Sequence, residues 1–174
     1  LVQQAHALRI GPGMDPATTL GPLVSAAQQR RVLSYIDDAR RERVGLITGG
    51  HAAGDRGYFV EPTILLDPGA RATVSREEIF GPVLVVTPYD DPADLVRLAN
   101  ETVYGLSANI WSRDVAAAYR LARQVKAGTI TVNSGMIVGP ALPVGGFKQP
   151  GWGREGGAEG LSAFLETKSI ITAL

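Results

Sequence analysis

The sequence predicts an α/β fold with a parallel sheet, and three observations carry that prediction. Residues 83–132 alternate strand, helix, strand, helix, strand. Val83–Val86 is an unbroken run of β-branched and Leu residues, which suits a strand covered on both faces. The two intervening segments each open on an aspartate placed as a helix N-cap. Asp91 has Pro92 at the first helical position, and Asp114 precedes an alanine-rich stretch. Strands joined by helical crossovers run parallel. Ligands in such sheets sit beyond the C-terminal strand ends, so the loops before Val83 and after Val132 are the places to look.

Taken in order, Val2, Ala5 and Leu8 already lie at near-helical spacing, and there is no initiator Met. The expectation is that the chain begins inside a helix and that further sequence lies upstream. Ser25 and Gln28 form a capping-box pattern, each side chain able to satisfy the other's free backbone N–H. Val32, Tyr35, Ile36 and Ala39 then share one helical face. Val44–Thr48 reads as a short buried strand ended by Gly49–Gly50. Tyr58–Val60 and Thr63–Leu66 are strand-like pieces broken by Pro62. After Val83–Val86, Leu95, Leu98 and Ala99 form the apolar face of the first capped helix. Ser107–Trp111 is the next strand. Ala118, Leu121, Ala122 and Val125 line the second helix, and Gly128 suits a left-handed position at its end. Thr129–Val132 is a strand. Residues 133–160 are rich in Gly and Pro and have little pattern, as functional loops often do. A short helix around Leu161–Phe164 and a β-rich terminal strand over Thr167–Ala173 complete the series.

Composition narrows the function. Of the 174 residues 45% are hydrophobic, enough for a core, and 20% are charged with zero formal net charge. There is no basic field for nucleic acid. The pairs Arg30–Arg31 and Arg40–Arg41 read as a solvated helix face. No cysteine is present, so there is no disulfide framework and no thiolate metal site. His6 and His51 lack ligand spacing, and His51 reads as an exposed turn residue. No apolar run is long enough to span a membrane, no signal-peptide pattern occurs, and a cytoplasmic location is expected.

Gly151-Trp152-Gly153-Arg154-Glu155-Gly156 matches G-x-G-x-x-G but lacks the preceding strand and the acidic residue about twenty positions on that a dinucleotide cradle needs. A tight loop with positive φ angles is the better reading. No G-x-S-x-G nucleophile elbow occurs. Glu77-Glu78-Ile79-Phe80-Gly81-Pro82 is more informative. Adjacent carboxylates point in different directions and do not form an acid/base pair. In a loop before a strand, however, a carboxylate can accept hydrogen bonds from sugar hydroxyls, and a neighbouring aromatic can lie against a flat ring.

Glu77-Glu78-Ile79-Phe80-Gly81-Pro82-Val83 resembles the E-E-I-F-G-P-V signature of the aldehyde dehydrogenase superfamily. Asp15-Pro16 with Gly21-Pro22-Leu23 resembles that family's segment after the catalytic cysteine region. Gly57-Tyr58-Phe59-Val60-Glu61-Pro62-Thr63 resembles G-x-F-x-x-P-T. Tyr104-Gly105-Leu106-Ser107-Ala108 resembles Y-G-L-x-A, and Gly128-Thr129 through Val132-Asn133 resembles G-x-x-x-V-N. Pro143-Val144-Gly145-Gly146-Phe147-Lys148 with Gly151-Trp152-Gly153-Arg154-Glu155 resembles P-F-G-G-x-K-x-S-G-x-G-R-E. The motifs follow the family's order over nearly the whole chain.

The resemblance implies oxidation of an aldehyde to an acid with NAD or NADP. In the family a cysteine attacks the aldehyde, hydride passes to the nicotinamide and the thioester is hydrolysed. That cysteine, the glutamate base, the oxyanion-hole asparagine and the dinucleotide-binding domain all precede the matching segment. By motif, Glu78 corresponds to the glutamate that holds the nicotinamide ribose hydroxyls, and charge-assisted bonds are the stronger kind. Phe80 corresponds to the aromatic beside the nicotinamide, while Glu77 caps or faces solvent. Met136, Val138 and Val144 correspond to the wall of the aldehyde tunnel, with core packing the competing reading for Val138. The family usually has Phe where Val144 stands and often Ser where Pro150 stands. The first departure alters the substrate wall, and the second stiffens the loop.

The implied architecture is a parallel-sheet catalytic domain of aldehyde dehydrogenase type over residues 1–164, with an oligomerisation tail over 165–174. In the tail Glu166 braces the interface, and Ser169, Ile170, Ile171 and Thr172 form the strand that joins protomers into a homodimer or homotetramer. The implied partners are an aldehyde substrate and the remainder of the same polypeptide, with no nucleic acid and no membrane. Superfamily relatives that reduce acyl phosphates or make acyl-CoA are one alternative. A non-catalytic assembly or regulatory domain is the other.

Overall fold

Val2–Ala7 form a short helix, α1, whose His6 Nε2 shares a 2.7 Å hydrogen bond with Thr48 Oγ1. The structure is a computed structural model that describes residues 1–135 and 139–173. They divide into two units, with the boundary after Asp90.

In the first unit Ser25 Oγ accepts the Gln28 N–H at 3.2 Å and opens the helix Ala26–Arg41, α2. The predicted stripe is the core-facing side: Val32, Ile36 and Ala39 are fully buried and Tyr35 is half-buried. Val60, Leu65, Ala72, Val74 and Ile79 close the same cluster. Each fully buried aliphatic side chain contributes about 1.5–3 kcal/mol here. Gly45–Thr48 is β1, Thr63–Leu66 is β2, and Thr73–Arg76 is a single helical turn, α3. Val83–Val86 is β3, which pairs parallel to β2 from Thr63↔Val83 to Leu66↔Val86. On its other side β2 pairs antiparallel with β1.

Two expectations change in this unit. β1 was expected to be buried, but as an antiparallel edge strand it leaves Gly45, Leu46 and Ile47 exposed. β3 was expected to be covered on both faces, and Leu84 is instead exposed. The buried strand is β2, which lies between the other two with Thr63, Ile64 and Leu65 buried. Tyr58–Val60 contributes only an isolated bridge between Val60 and Ala52.

In the second unit Pro92–Glu101 is α4 and Ser107–Ile110 is β4. Val115–Ala122 is α5 and Thr129–Val132 is β5. The two predicted caps form: Asp91 accepts the Ala93 N–H at 2.8 Å and Asp114 the Ala117 N–H at 2.9 Å. α5 is the crossover between β4 and β5, which pair parallel from Ser107↔Thr129 to Ile110↔Val132. Ala118 is the buried residue of α5, and Val125 and Ala127, beyond its end, are buried as well. The predicted β-α-β-α-β series is thus divided between sheets. β3 belongs with β1 and β2, while β4 and β5 form a two-stranded parallel sheet.

Gly128 is not left-handed, contrary to expectation, because α5 ends earlier, with Arg123 as its C-cap. Glycine is needed there for a different reason. A Cβ on Gly128 would collide with the Gly145 carbonyl oxygen, so the backbone of the following loop occupies its place. The helix expected at Leu161–Phe164 lies earlier, at Gly157–Ser162, and is α6. The strand expected over Thr167–Ala173 does not form: these residues pair with no strand among the described residues, and all are exposed. An alternating β-rich pattern specifies a pairing-competent strand but not the edge that receives it.

Candidate functional site

The loop before β3 is assembled on the N-terminal half of α2. Gln28, Arg31, Val32 and Tyr35 share one helical face by their spacing. The Gln28 Nε2 amide donates to the carbonyls of Ile79 at 3.2 Å and Phe80 at 2.9 Å. Arg31 donates to the Glu78 carbonyl at 3.1 Å and to the Tyr35 hydroxyl at 3.2 Å, and its guanidinium lies 5.3 Å from the Tyr35 ring centre. The Tyr35 hydroxyl donates to Glu77 Oε2 at 2.7 Å. Val32 packs under Gly81 so closely that a Cβ there would sit 2.6 Å from Val32 Cγ2. Pro82 then accepts the Thr63 N–H at 2.8 Å, which sets the register of β3 on β2.

Ile79 is buried in the core, and its neighbours Glu78 and Phe80 are turned outward. Phe80 adopts φ +55°, a left-handed conformation that costs a non-glycine residue about 1–3 kcal/mol. The residue is 69% exposed, so side-chain burial does not offset that cost. The carbonyls on either side of that angle are held by the Gln28 side-chain amide. The result is a fixed turn that presents a carboxylate and an aromatic ring two residues apart. A carboxylate accepts a pair of hydroxyl donors, and a ring gives a flat apolar surface. This pairing of an acceptor with a flat ring fits the diol and planar base of a nicotinamide nucleoside.

The other expected site residues stand as follows. Val144 is half-buried and forms an antiparallel bridge with Glu155, with N–H to carbonyl distances of 2.7 and 2.8 Å in the two directions. Met136 and Val138 lie outside the described residues. Glu166, Ser169, Ile170, Ile171 and Thr172 are all exposed. The structure therefore brings Glu78 and Phe80 together on one turn.

Several side chains gain roles that the sequence reading did not give them. Gln28 was expected to return a bond to Ser25, but its side chain turns to the 79–80 carbonyls. Arg31 and Arg40, expected on a solvated helix face, each donate to a backbone carbonyl, Glu78 and Gly50 respectively. Glu77 accepts the tyrosine hydroxyl. The helical repeat that links Gln28, Arg31 and Tyr35 was legible, but their polar partners lie some fifty residues away. Lys148 Nζ donates to the carbonyls of Asn100 at 2.9 Å and Thr102 at 2.8 Å, placing a cation at the C-terminal end of α4. Arg154 Nη1 donates to the carbonyls of Gly146, Trp152 and Gly153, and its guanidinium lies 5.7 Å from the Phe147 ring centre. The G-x-G-x-x-G loop is thus wrapped around an arginine, with Gly151 at φ +95° and Gly156 at φ +69°. Among the described residues no cluster of three or more His, Asp or Glu suits a metal, and no helix is long and apolar enough to cross a membrane.

Comparison with known proteins agrees along the chain. The profile of the aldehyde dehydrogenase family matches residues 1–170. The mitochondrial aldehyde dehydrogenase of Leishmania tarentolae is 44% identical over 98% of this chain and 34% of that protein. A betaine aldehyde dehydrogenase of Sinorhizobium fredii is 40% identical over all of this chain and 36% of that protein. Among solved structures, the NAD+ complex of the Bacillus cereus aldehyde dehydrogenase superposes with a TM-score of 0.93 at 41% identity. It covers 98% of this chain and 35% of that one. The chain spans about a third of the length of these relatives. With its fold and its motifs matched from Leu1 to residue 170, this chain belongs to the aldehyde dehydrogenase family.

Proposed function

We propose that this chain is the C-terminal part of an enzyme that oxidises an aldehyde to a carboxylic acid with NAD or NADP. The observation that carries the reading is the turn at residues 78–80. Its main chain is tied to α2 at three carbonyls, while Glu78 and Phe80 face outward. NAD(P)+, when bound, supplies the acceptor for the substrate's hydride. Glu78 accepts the nicotinamide ribose hydroxyls and Phe80 packs beside the ring, so the two set its orientation. That role is positioning, which lowers a barrier by fixing geometry in advance.

The nucleophilic cysteine comes from sequence outside these 174 residues, which contain none. On their own they are expected to show no aldehyde-oxidising turnover. Val144 lines the aldehyde path. Glu166 and the 169–172 segment join protomers into a homodimer or homotetramer, and the assembled enzyme works in the cytoplasm.

The test is Glu78→Gln in the full-length enzyme, followed by single-turnover kinetics. A bond to a charged group is worth about 1.5–3 kcal/mol, which corresponds to a roughly ten- to hundredfold slower hydride step. Cofactor affinity should change less, because the rest of the cofactor is held elsewhere. An unchanged hydride step would remove Glu78 from the site.

A further inference from the structure

We infer that Gln28 is a positioning residue for the oxidation, acting through the backbone of the 79–80 turn; this rests on the reading of Glu78 and Phe80 given above. One primary amide carries two N–H donors, and here it spans two consecutive carbonyls, Ile79 at 3.2 Å and Phe80 at 2.9 Å. Between those carbonyls lies the φ of Phe80, the left-handed angle of the turn. The ring is exposed and the conformation is unfavourable for phenylalanine, so the donors that grip its two flanking carbonyls hold the angle. If the grip is lost, φ relaxes toward negative values and the ring swings away.

The helix does not need this side chain. The N–H of Gln28 is already satisfied by Ser25 Oγ at 3.2 Å. A glutamate at the third helical position would serve α2 at least as well, since an acidic group there completes a capping box and meets the positive end of the helix dipole. It would serve the turn badly, because its carboxylate has no donor and would face two carbonyl oxygens. Helix stability and turn geometry therefore respond to Gln28→Glu in opposite directions. Glu78 is anchored separately, through Arg31 on its carbonyl. Losing Gln28 should consequently disturb the ring more than the ribose contact, and the hydride step more than cofactor affinity.

The experiment compares Gln28→Glu, Gln28→Met and Gln28→Lys with Glu78→Gln in the full-length enzyme. It reads single-turnover hydride transfer, cofactor Kd and thermal unfolding. Gln28→Glu and Gln28→Met should slow hydride transfer about tenfold, the size of one to two neutral hydrogen bonds, with cofactor Kd within about threefold of the parent. Gln28→Lys restores a donor of sufficient reach and should recover the rate to within about threefold of the parent. Parental rates in Gln28→Glu and Gln28→Met, with Glu78→Gln slowed, would overturn the role of Gln28 and leave the cofactor reading standing. If Glu78→Gln is also unaffected, the cofactor reading itself fails. A loss of folding in Gln28→Glu and Gln28→Met that Gln28→Lys does not repair would make Gln28 a structural residue only.

Discussion

The Ser75 hydroxyl donates to Asp67 Oδ2 at 2.6 Å, and the Ala72 N–H donates to the same oxygen at 3.0 Å. Asp67 is 8% exposed at the end of β2, where it ties the strand to α3. Burial alone would push its carboxyl up. Bonds from Ser75 and from the N–H groups of Ala72, Gly69 and Arg71 outweigh that and hold it below the usual carboxylate range. A carboxylate with a depressed folded value contributes stability above its unfolded value, about 3.9, and loses it as pH falls through the folded value.

Asp67→Asn should therefore destabilise the first unit by about 1.5–3 kcal/mol at neutral pH, the worth of hydrogen bonds to a charged group. The penalty should shrink as the pH is lowered below about 3.9. Denaturant midpoints for both chains across that range check it. A penalty independent of pH would mean that the side chain's shape, and not its charge, is what matters.

Arg43 follows α2 at φ +62°, and its N–H reaches back to the Arg40 carbonyl at 3.2 Å. This is a helix stop that glycine fills without steric cost. Arg43→Gly should raise stability by about 0.5–1 kcal/mol, the relief at φ being partly offset by a more flexible unfolded chain. Arg43→Ala keeps the strain and removes the charge, so it should bring no gain. Equal melting temperatures for the two variants would assign the effect to the charge.

The local rules were legible because local physics made them. Asp91, Asp114 and Ser25 cap helices within three residues of themselves, and the apolar face of α2 follows from its own repeat. The sheets were read less well. Parallel β4 and β5 came from alternation, but a run such as Val83–Val86 does not reveal whether its neighbour is β2 or β4. The exposure of β1 depends on its place at an edge, which strand composition does not encode. At the site, Glu78 and Phe80 were reached through a motif resemblance. What fixes them was not reached, because Gln28 and Arg31 meet carbonyls 47 to 52 residues away and a backbone carbonyl carries no side-chain signal.

Val144 is held by two backbone bonds to Glu155, so a larger side chain there has a fixed point of departure. In the full-length enzyme Val144→Phe should narrow the aldehyde path and disfavour bulky substrates. The ratio of kcat/KM for a short linear aldehyde over a ring-bearing one should rise about tenfold or more, in line with one poorly fitting group in an apolar pocket. If the ratio stays at its parental value, Val144 does not line the path.

Residues 167–173 combine good strand formers with complete exposure; Ile170 is 84% and Ile171 93% exposed. Isoleucines at such exposure are costly in water, each forgoing about 1.5–3 kcal/mol of burial. A strand with no partner in its own chain also leaves its N–H and C=O groups available to another edge. Pairing across a symmetric interface satisfies both needs, since each protomer then gives and receives one strand. Glu166 is exposed just before the segment, and in the proposed assembly it is expected to meet an arginine of the partner. Deleting residues 167–174 from the full-length enzyme should shift it toward monomer at micromolar concentration in analytical ultracentrifugation. Glu166→Gln should weaken association less than the deletion does, because it removes one charge and keeps the strand. A truncated enzyme that sediments at the parental size would show that the protomers are joined elsewhere.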